Sequence, residues 1–137
     1  MRLVVDANAL FSAFLRDGLT RAVWFDPRLE IYAPEFLLEE FKKYEEELIE
    51  RTGVTRAAAT ETKMRLTEKI MLVGAEELRW YADAAKHLAR DEKDAPYVAC
   101  ALAVEADLWS RDTHLTQPRV RVWSTAELAR ELGYLKT

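Results

Sequence analysis

A short apolar run that ends on a carboxylate, Leu3-Val4-Val5-Asp6, is the feature that most constrains how this chain can fold. Such a β-branched run is typical of a strand buried on both faces. A carboxylate at the end of a buried strand is rarely found without a partner. Strand and helix patterns alternate along most of the remaining chain, which predicts an α/β protein with a parallel sheet covered by helices on both faces.

The sequence predicts one domain over residues 1–137, with a three-layer α/β/α architecture and a short, mainly parallel central sheet of four to five strands. Strands are predicted at 2–6, 30–33, 107–110 and 120–123, with a weaker strand pattern at 71–73. Helices are predicted at 8–16, 20–25, 34–51, 55–72, 74–88, 95–106 and 126–132. Ser124 and Glu127 fit a capping box for the last of these helices. The predicted helices 34–51 and 55–72 form a helical hairpin.

Composition and charge exclude several classes of protein. Half of the residues are hydrophobic and 32% are charged, which is typical of a folded domain rather than a disordered one. With 24 acidic and 20 basic residues, the net charge of −4 disfavours a protein that simply coats nucleic acid. Cys100, the only cysteine, lies among small apolar residues and is expected to be buried. The sequence has neither a signal peptide nor a long apolar stretch, so a cytoplasmic location without a membrane partner is expected.

Three acidic residues that are far apart in the sequence are expected at one edge of the sheet. Asp6 ends the first strand, Asp94 precedes the predicted helix 95–106, and Asp112 follows the strand 107–110. In a parallel sheet, the carboxyl ends of the strands and the N-termini of the following helices share one edge, where ligands bind. Taken singly, Asp94 also fits an N-cap and Asp112 an ordinary turn residue.

A fourth acid is expected from the helix 34–51. Its apolar stripe contains Leu37, Phe41, Tyr44 and Leu48. At about 100° per residue, Glu40 lies roughly 70° from the centre of this stripe, whereas Glu39 lies roughly 170° away. Glu40 is therefore predicted at the boundary of the buried face and Glu39 in solvent, although a boundary position also fits an ordinary surface residue.

Carboxylates this close together repel one another unless a cation lies among them. Ligands that are all oxygens favour Mg²⁺ or Mn²⁺ over zinc. Without the four acids, the remaining acidic and basic residues balance, so the rest of the surface would tolerate a polyanion. Arg16, Lys93 and Arg111 are predicted near the same edge and are candidates for phosphate contacts.

The chain contains four motifs in order: Leu3-Val4-Val5-Asp6-Ala7-Asn8, Glu40, Asp91-x-x-Asp94 and Trp109-Ser110-Arg111-Asp112. On these motifs, the chain resembles the PIN domain family over about residues 2 to 124. The resemblance implies a nuclease that depends on Mg²⁺ or Mn²⁺ and acts mostly on RNA. It also implies roles for individual residues: metal binding and catalysis for Asp6, Glu40, Asp94 and Asp112, an additional acid at Asp91, and polar support from Asn8 and Ser110.

The expected function is therefore hydrolysis of phosphodiester bonds in single-stranded RNA. Single-domain members of the family include toxins of toxin–antitoxin pairs, which adds an antitoxin protein as a partner. The helical segment 52–90 departs from the pattern of those toxins. Two alternatives remain: a non-catalytic PIN-fold module that binds RNA or protein, and a Mg²⁺-dependent phosphohydrolase. The second is disfavoured because Asp6-Ala7-Asn8 lacks the second aspartate that dehalogenase-type phosphatases require.

The predicted hairpin also carries more apolar residues than one sheet face requires. They are Phe36, Leu38, Met64, Leu66, Ile70 and Met71. Exposed apolar patches mark interfaces, so a homodimer or higher oligomer is expected.

Overall fold

A computed structural model of the chain describes residues 1–89, 91–110 and 120–136. Its central sheet contains five parallel strands in the spatial order β3-β2-β1-β4-β5. The strands are β1 (Arg2–Val5), β2 (Glu30–Pro34), β3 (Ile70–Val73), β4 (Asp107–Trp109) and β5 (Val122–Trp123). The predicted α/β class and parallel sheet are thereby confirmed.

The helices fill the connections between the strands. They are α1 (Ala7–Leu15), α2 (Leu19–Trp24), α3 (Phe36–Thr52), α4 (Arg56–Glu68), α5 (Ala75–Arg79), α6 (Ala82–Leu88), α7 (Ala95–Val104) and α8 (Thr125–Leu132). A 3-10 turn, Glu92–Asp94, leads directly into α7. Helix α7 packs against β1, β2 and β4 and against α5 and α6, whereas α1 contacts α2, α3 and α4. These two groups of helices form the outer layers of a three-layer α/β/α fold.

The strand order creates a crevice beside β1. From β1 the chain passes to β2 and β3 on one side, and later returns to β4 and β5 on the other. In open parallel sheets, ligands bind outside the carboxyl ends of the strands where the order reverses in this way. Asp6 follows β1 and Ser110 follows β4, so both residues lie at this reversal point.

Aromatic contacts fix the helices that surround the crevice. The rings of Trp24 in α2 and Trp109 in β4 lie 5.5 Å apart, centroid to centroid. Trp24 Nε1 also donates a 3.1 Å hydrogen bond to the Leu66 carbonyl of α4. The ring of Phe14 meets Phe41 of α3 edge-on at 5.1 Å. Because buried aromatic rings contribute large contact areas with specific geometry, α3 is held in a fixed position over the sheet.

The prediction of a helix over 55–72 is wrong at its C-terminal end. Helix α4 ends at Glu68, and residues Ile70–Val73 form the edge strand β3. Lys, Met and Leu favour a helix intrinsically, whereas β3 exists because it pairs with β2, with Ile31 opposite Ile70 and Ala33 opposite Leu72. The weaker strand pattern at 71–73 was therefore the correct one.

Two further helix boundaries differ from the prediction. Pro34 is the last residue of β2, and α3 begins at Phe36 after Glu35. The predicted helical region 74–88 is two helices, which are separated at Trp80 and Tyr81. At the other end of the chain, the predicted capping box between Ser124 and Glu127 is present at the start of α8.

The apolar residues of the helical hairpin do not all lie on the surface. Leu66 and Ile70 belong to the hydrophobic core, so their assignment to an apolar excess is wrong. Phe36, Met64 and Met71 remain exposed. Self-association thus rests on fewer side chains than the sequence indicates, and it stays a prediction. Across the described ranges, every helix is too short or too polar to cross a membrane.

Candidate active site

Asp6 lies at the junction between the central strand and the first helix. Its side chain is 7% exposed. As the N-cap of α1, it accepts a 2.9 Å hydrogen bond from the Ala9 backbone N–H through Oδ1. Oδ2 accepts a hydrogen bond from the hydroxyl of Ser110. Both carboxylate oxygens are therefore oriented by the folded chain.

Ser110 is a buried residue at the reversal point, and it forms hydrogen bonds to β5 and to Asp6. It follows β4 directly, and its backbone N–H donates a 3.0 Å hydrogen bond to the Trp123 carbonyl of β5. Its position depends on the neighbouring strands, and its hydroxyl in turn positions Asp6.

Glu40 enters the same region from α3. The side chain is half-buried, and Oε1 accepts a 2.7 Å hydrogen bond from the hydroxyl of Tyr97 in α7. The preceding residue, Glu39, is exposed. The two neighbouring glutamates therefore have different environments, as the helical geometry requires.

Tyr97 lies among three acidic residues. Burial of the ring raises the pKa of the Tyr97 hydroxyl, and so do the hydrogen bond to Glu40 and the negative charges of Glu40, Asp6 and Asp94. A phenol with a raised pKa remains protonated throughout the physiological pH range. Tyr97 is therefore a permanent hydrogen-bond donor, and the carboxylates of Glu40, Asp6 and Asp94 lie close enough to affect its pKa.

Asp94 precedes α7 at the edge where the helix N–H groups point outward. Its backbone lies in the helical region, with φ −84° and ψ −18°, and its side chain makes no capping hydrogen bond to the helix. Asp94 therefore occupies the N-cap position of α7 without capping the helix through its side chain, which has another interaction partner. A negative charge at a helix N-terminus is favoured by the helix dipole.

The other predicted site residues have more local surroundings. Asp91 is exposed and accepts a 3.1 Å hydrogen bond from the Lys93 backbone N–H, which caps the 3-10 turn. The side chain of Lys93 is exposed, as is that of Asn8 in the first turn of α1. Arg111 and Asp112 lie outside the residues that the structure describes.

Arg16 lines a cavity of about 920 Å³ beside the start of α8. Arg51, at the C-terminal end of α3, also lines it, together with the hydroxyl residues Thr20, Ser124 and Thr125. This is a second, more polar surface, formed by the C-terminal ends of α1 and α3, whereas Asp6 caps the start of α1 and Glu40 lies in the first half of α3.

The donor set of the acidic site has the chemistry that Mg²⁺ and Mn²⁺ prefer. Asp6, Glu40 and Asp94 all offer carboxylate oxygens. Over residues 1–89, 91–110 and 120–136, no group of three acidic, histidine or cysteine side chains is close enough to hold a metal ion. The residues present fit a divalent metal by donor type, and the fourth acid, Asp112, lies outside those ranges.

Tyr97 was missed by the sequence reasoning. It lies three residues after Asp94, and residues separated by three positions share a face of a helix. An aromatic hydroxyl one turn after an acid at a helix start is the signal that could have identified it.

The protein has an α/β fold with Asp6 at the reversal point of a parallel sheet, and with Glu40 and Asp94 near enough to raise the pKa of Tyr97. The sequence profile of the PIN domain matches residues 4–133. The chain therefore belongs to the PIN domain family, whose members are generally nucleases. A comparison with curated protein sequences gives no significant match.

Two solved structures share this fold. A toxin-antitoxin complex from Klebsiella pneumoniae aligns with a TM-score of 0.62 at 16% identity, over 90% of this chain and 97% of that one. PAE2754 from Pyrobaculum aerophilum aligns with a TM-score of 0.66 at 17% identity, over 98% of this chain and 91% of that one. At these identities, the similarity is evidence for the fold alone.

Proposed function

We propose that the protein is an endoribonuclease that hydrolyses phosphodiester bonds in single-stranded RNA and depends on Mg²⁺ or Mn²⁺. The observation that supports this proposal is the hydrogen bond from Tyr97 to Glu40, at a position where the charges of Asp6 and Asp94 also raise the pKa of Tyr97. These acids come from three distant parts of the sequence, and family membership supports nuclease chemistry at this position.

Asp6, Glu40 and Asp94 would hold the metal, with Asp112 as the fourth ligand expected from the sequence. When bound, the metal lowers the pKa of a water molecule and neutralises charge on the phosphate oxygens. The residues of the chain position these ligands. The Tyr97 hydroxyl holds Glu40, while Ser110 and the Ala9 N–H hold Asp6 from two sides.

The start of α7 would provide positive charge beside the negatively charged acids. The backbone N–H of Ala95 donates to the Glu92 carbonyl of the 3-10 turn, and Pro96 has no N–H. The side chain of Asp94 does not cap the helix. The helix dipole would place a partial positive charge at this end, which favours a phosphate near the acids. Further along an RNA strand, the cavity that contains Arg16 and Arg51 offers two cations for the backbone.

An antitoxin protein is a proposed partner, because one structure with this fold is a toxin-antitoxin complex. A homodimer or higher oligomer and a cytoplasmic location are proposed as well. Exposed Met64 and Met71 supply apolar surface for self-association. Light scattering at micromolar concentration tests the oligomer, and a monomeric mass would contradict it.

The decisive experiment is an RNA cleavage assay with purified protein. Single-stranded RNAs of varied sequence should be cleaved with Mn²⁺ or Mg²⁺, and EDTA should stop the reaction. Asp6→Asn should abolish cleavage, because it removes a ligand charge but keeps the size of the side chain. The matched control is Asp17→Asn, which changes an exposed aspartate of the α1–α2 turn. RNA that is bound but never cleaved with Mn²⁺ present would favour the non-catalytic module instead.

A further inference from the structure

An apolar cavity of about 510 Å³ lies beside the acidic site. Its apolar lining includes Pro34, Phe36, Ala75, Leu78, Pro96 and Ala99. The volume falls within the range of small-molecule and cofactor sites, which are also largely apolar. The walls come from the start of α3, the start of α7, and the helices α5 and α6.

Phe36 connects this cavity to the acids. It lies four residues before Glu40, so the two side chains share a face of α3. Its ring packs against Tyr97 with centroids 6.3 Å apart and planes tilted by 58°, and the hydroxyl of Tyr97 donates to Glu40. Phe36 is nevertheless 37% exposed, so part of its ring remains open to a ligand.

The start of α7 gives a second connection. Ala95 and Pro96 line the cavity and follow Asp94 directly. A group in the cavity is therefore a close neighbour of whatever the acids bind.

The charged residues of the lining are divided between its walls. Glu35 and Glu92 belong to the segments that also carry Glu40 and Asp94. Arg79 of α5 and Lys86 of α6 come from the other two helices. Neither cation forms an ion pair with a residue that the structure describes. The cations are thus available to an anionic ligand that extends away from the acidic site.

We infer that this cavity binds a nucleobase next to the scissile phosphate, with the base against the open part of Phe36 and the adjoining backbone phosphate near Arg79 and Lys86. This inference rests on the proposed function and adds a substrate subsite to it. Single-stranded nucleic acids are bound by aromatic stacking combined with basic groups along the backbone. Because the lining is mainly apolar, we expect stacking with little preference among the four bases.

The segment 52–90 would have a role in binding the substrate. Helices α5 and α6 fall within it, and they supply the wall that carries the two cations. The segment would then extend the substrate site beyond the acids.

The test combines a change in the protein with a change in the RNA. An oligonucleotide with one mapped cleavage site is prepared intact and with an abasic nucleotide next to the cleaved bond. Binding is measured by fluorescence anisotropy in the Asp6→Asn background, so that the RNA remains uncut. Removing the base should weaken binding about tenfold when Phe36 is present, and less than about twofold in Phe36→Ala.

Two further variants make the comparison specific. Phe36→Trp retains an aromatic face and should preserve the effect of the abasic nucleotide. Phe25→Ala removes an aromatic residue of similar exposure from the end of α2, and it should behave as the parent protein. Circular dichroism checks that each variant is folded.

The outcomes separate the two proposals. If the wild type cleaves RNA but the abasic nucleotide binds as well as the intact one, the nucleobase subsite is wrong and the nuclease proposal stands. An equal loss of binding in Phe36→Ala and in the parent would also overturn the subsite, because the base would then be bound elsewhere. If Phe36→Ala leaves RNA binding unchanged, the cavity is better explained as a site for an apolar protein segment. If the wild type neither binds nor cleaves RNA, both proposals fail.

Discussion

The hydroxyl of Tyr97 donates a 2.7 Å hydrogen bond to Glu40, across 57 positions of sequence. This bond connects α3 to α7 and fixes the one site carboxylate that comes from a helix interior. The phenol remains protonated, since burial and three nearby negative charges raise the pKa of Tyr97. Glu40 therefore accepts a hydrogen bond from a hydroxyl that stays protonated throughout the physiological pH range.

Tyr97→Phe should lower kcat for RNA cleavage about tenfold and leave KM for RNA nearly unchanged. A hydrogen bond to a charged group contributes about 1.5–3 kcal/mol, and its loss here frees Glu40 to move. The Mn²⁺ concentration needed for half-maximal activity should rise as well. Tyr44→Phe, on the exposed part of α3, is the control. A normal Mn²⁺ requirement in Tyr97→Phe would show that this bond does not position Glu40.

Glu40→Gln should strongly reduce RNA cleavage, whereas Glu39→Gln should leave it at the wild-type level. Glu40 is half-buried against Tyr97 and Glu39 is exposed, although the two are adjacent in the sequence. The pair controls for charge, size and position in α3. If both variants cleave normally, the helix has been wrongly assigned to the site.

Asp6→Asn should unfold at the same or a higher temperature than the wild type in the presence of EDTA. The substitution removes repulsion among neighbouring carboxylates, and the amide oxygen can still accept the hydrogen bond from the Ala9 N–H. Thermal unfolding followed by circular dichroism measures the difference. A large fall in melting temperature would mean that the charge of Asp6 itself stabilises the start of α1.

Asp26 should make stability depend on pH in the acid range. Its carboxylate is buried and accepts hydrogen bonds from the backbone and side chain of Arg28 and from the Tyr134 hydroxyl. The Arg28 guanidinium, together with these other donors, holds the pKa of Asp26 well below its usual range. The folded state therefore gains stability above the unfolded pKa of 3.8 and loses it as the pH falls toward the lower folded value.

Asp26→Asn should accordingly destabilise the protein at pH 7, and the difference from the wild type should shrink below about pH 4. Urea unfolding at several pH values measures this. Asp17→Asn, on the surface, should show no such trend. A difference that is independent of pH would argue that the hydrogen bonds act through geometry rather than charge.

Cys100 should be unreactive in the folded protein. The side chain is fully buried in α7, and burial raises the pKa of its thiol to about 12. Because the thiolate is the reactive form, a disulfide reagent at pH 8 should label the thiol only after guanidinium unfolds the chain. Rapid labelling of native protein would indicate that α7 opens locally.

The sequence was sufficient to predict that Asp6 follows a strand and that Asp94 precedes a helix, because these positions follow from local patterns. Asp6 and Asp94 occupy such positions, and the exposure of Glu39 follows from helical geometry. The hydrogen-bond partners of these residues could not be predicted in this way. The bond from Ser110 to Asp6 depends on the pairing of β4 with β1, and the bond from Tyr97 to Glu40 depends on how α7 packs.

The fold shows the same division between local and long-range effects. The capping box at Ser124 involves neighbouring residues and was predicted correctly. Strand β3 was hidden because Met71 and Leu72 also suit a helix, and only pairing with β2 selects the strand. Leu66 looked like surplus apolar surface because its burial depends on packing against residues distant in sequence.

The hydrogen bond between Ser110 and Asp6 can form only after both β1 and β4 have been synthesised. The two residues are 104 positions apart, so a ribosome that has made the first strand must still add most of the chain before β4 can dock beside it. Domains generally fold as units during synthesis. The contact that orients Asp6 would therefore form only after β4 has been synthesised, so a nascent chain that ends before β4 would lack an ordered Asp6.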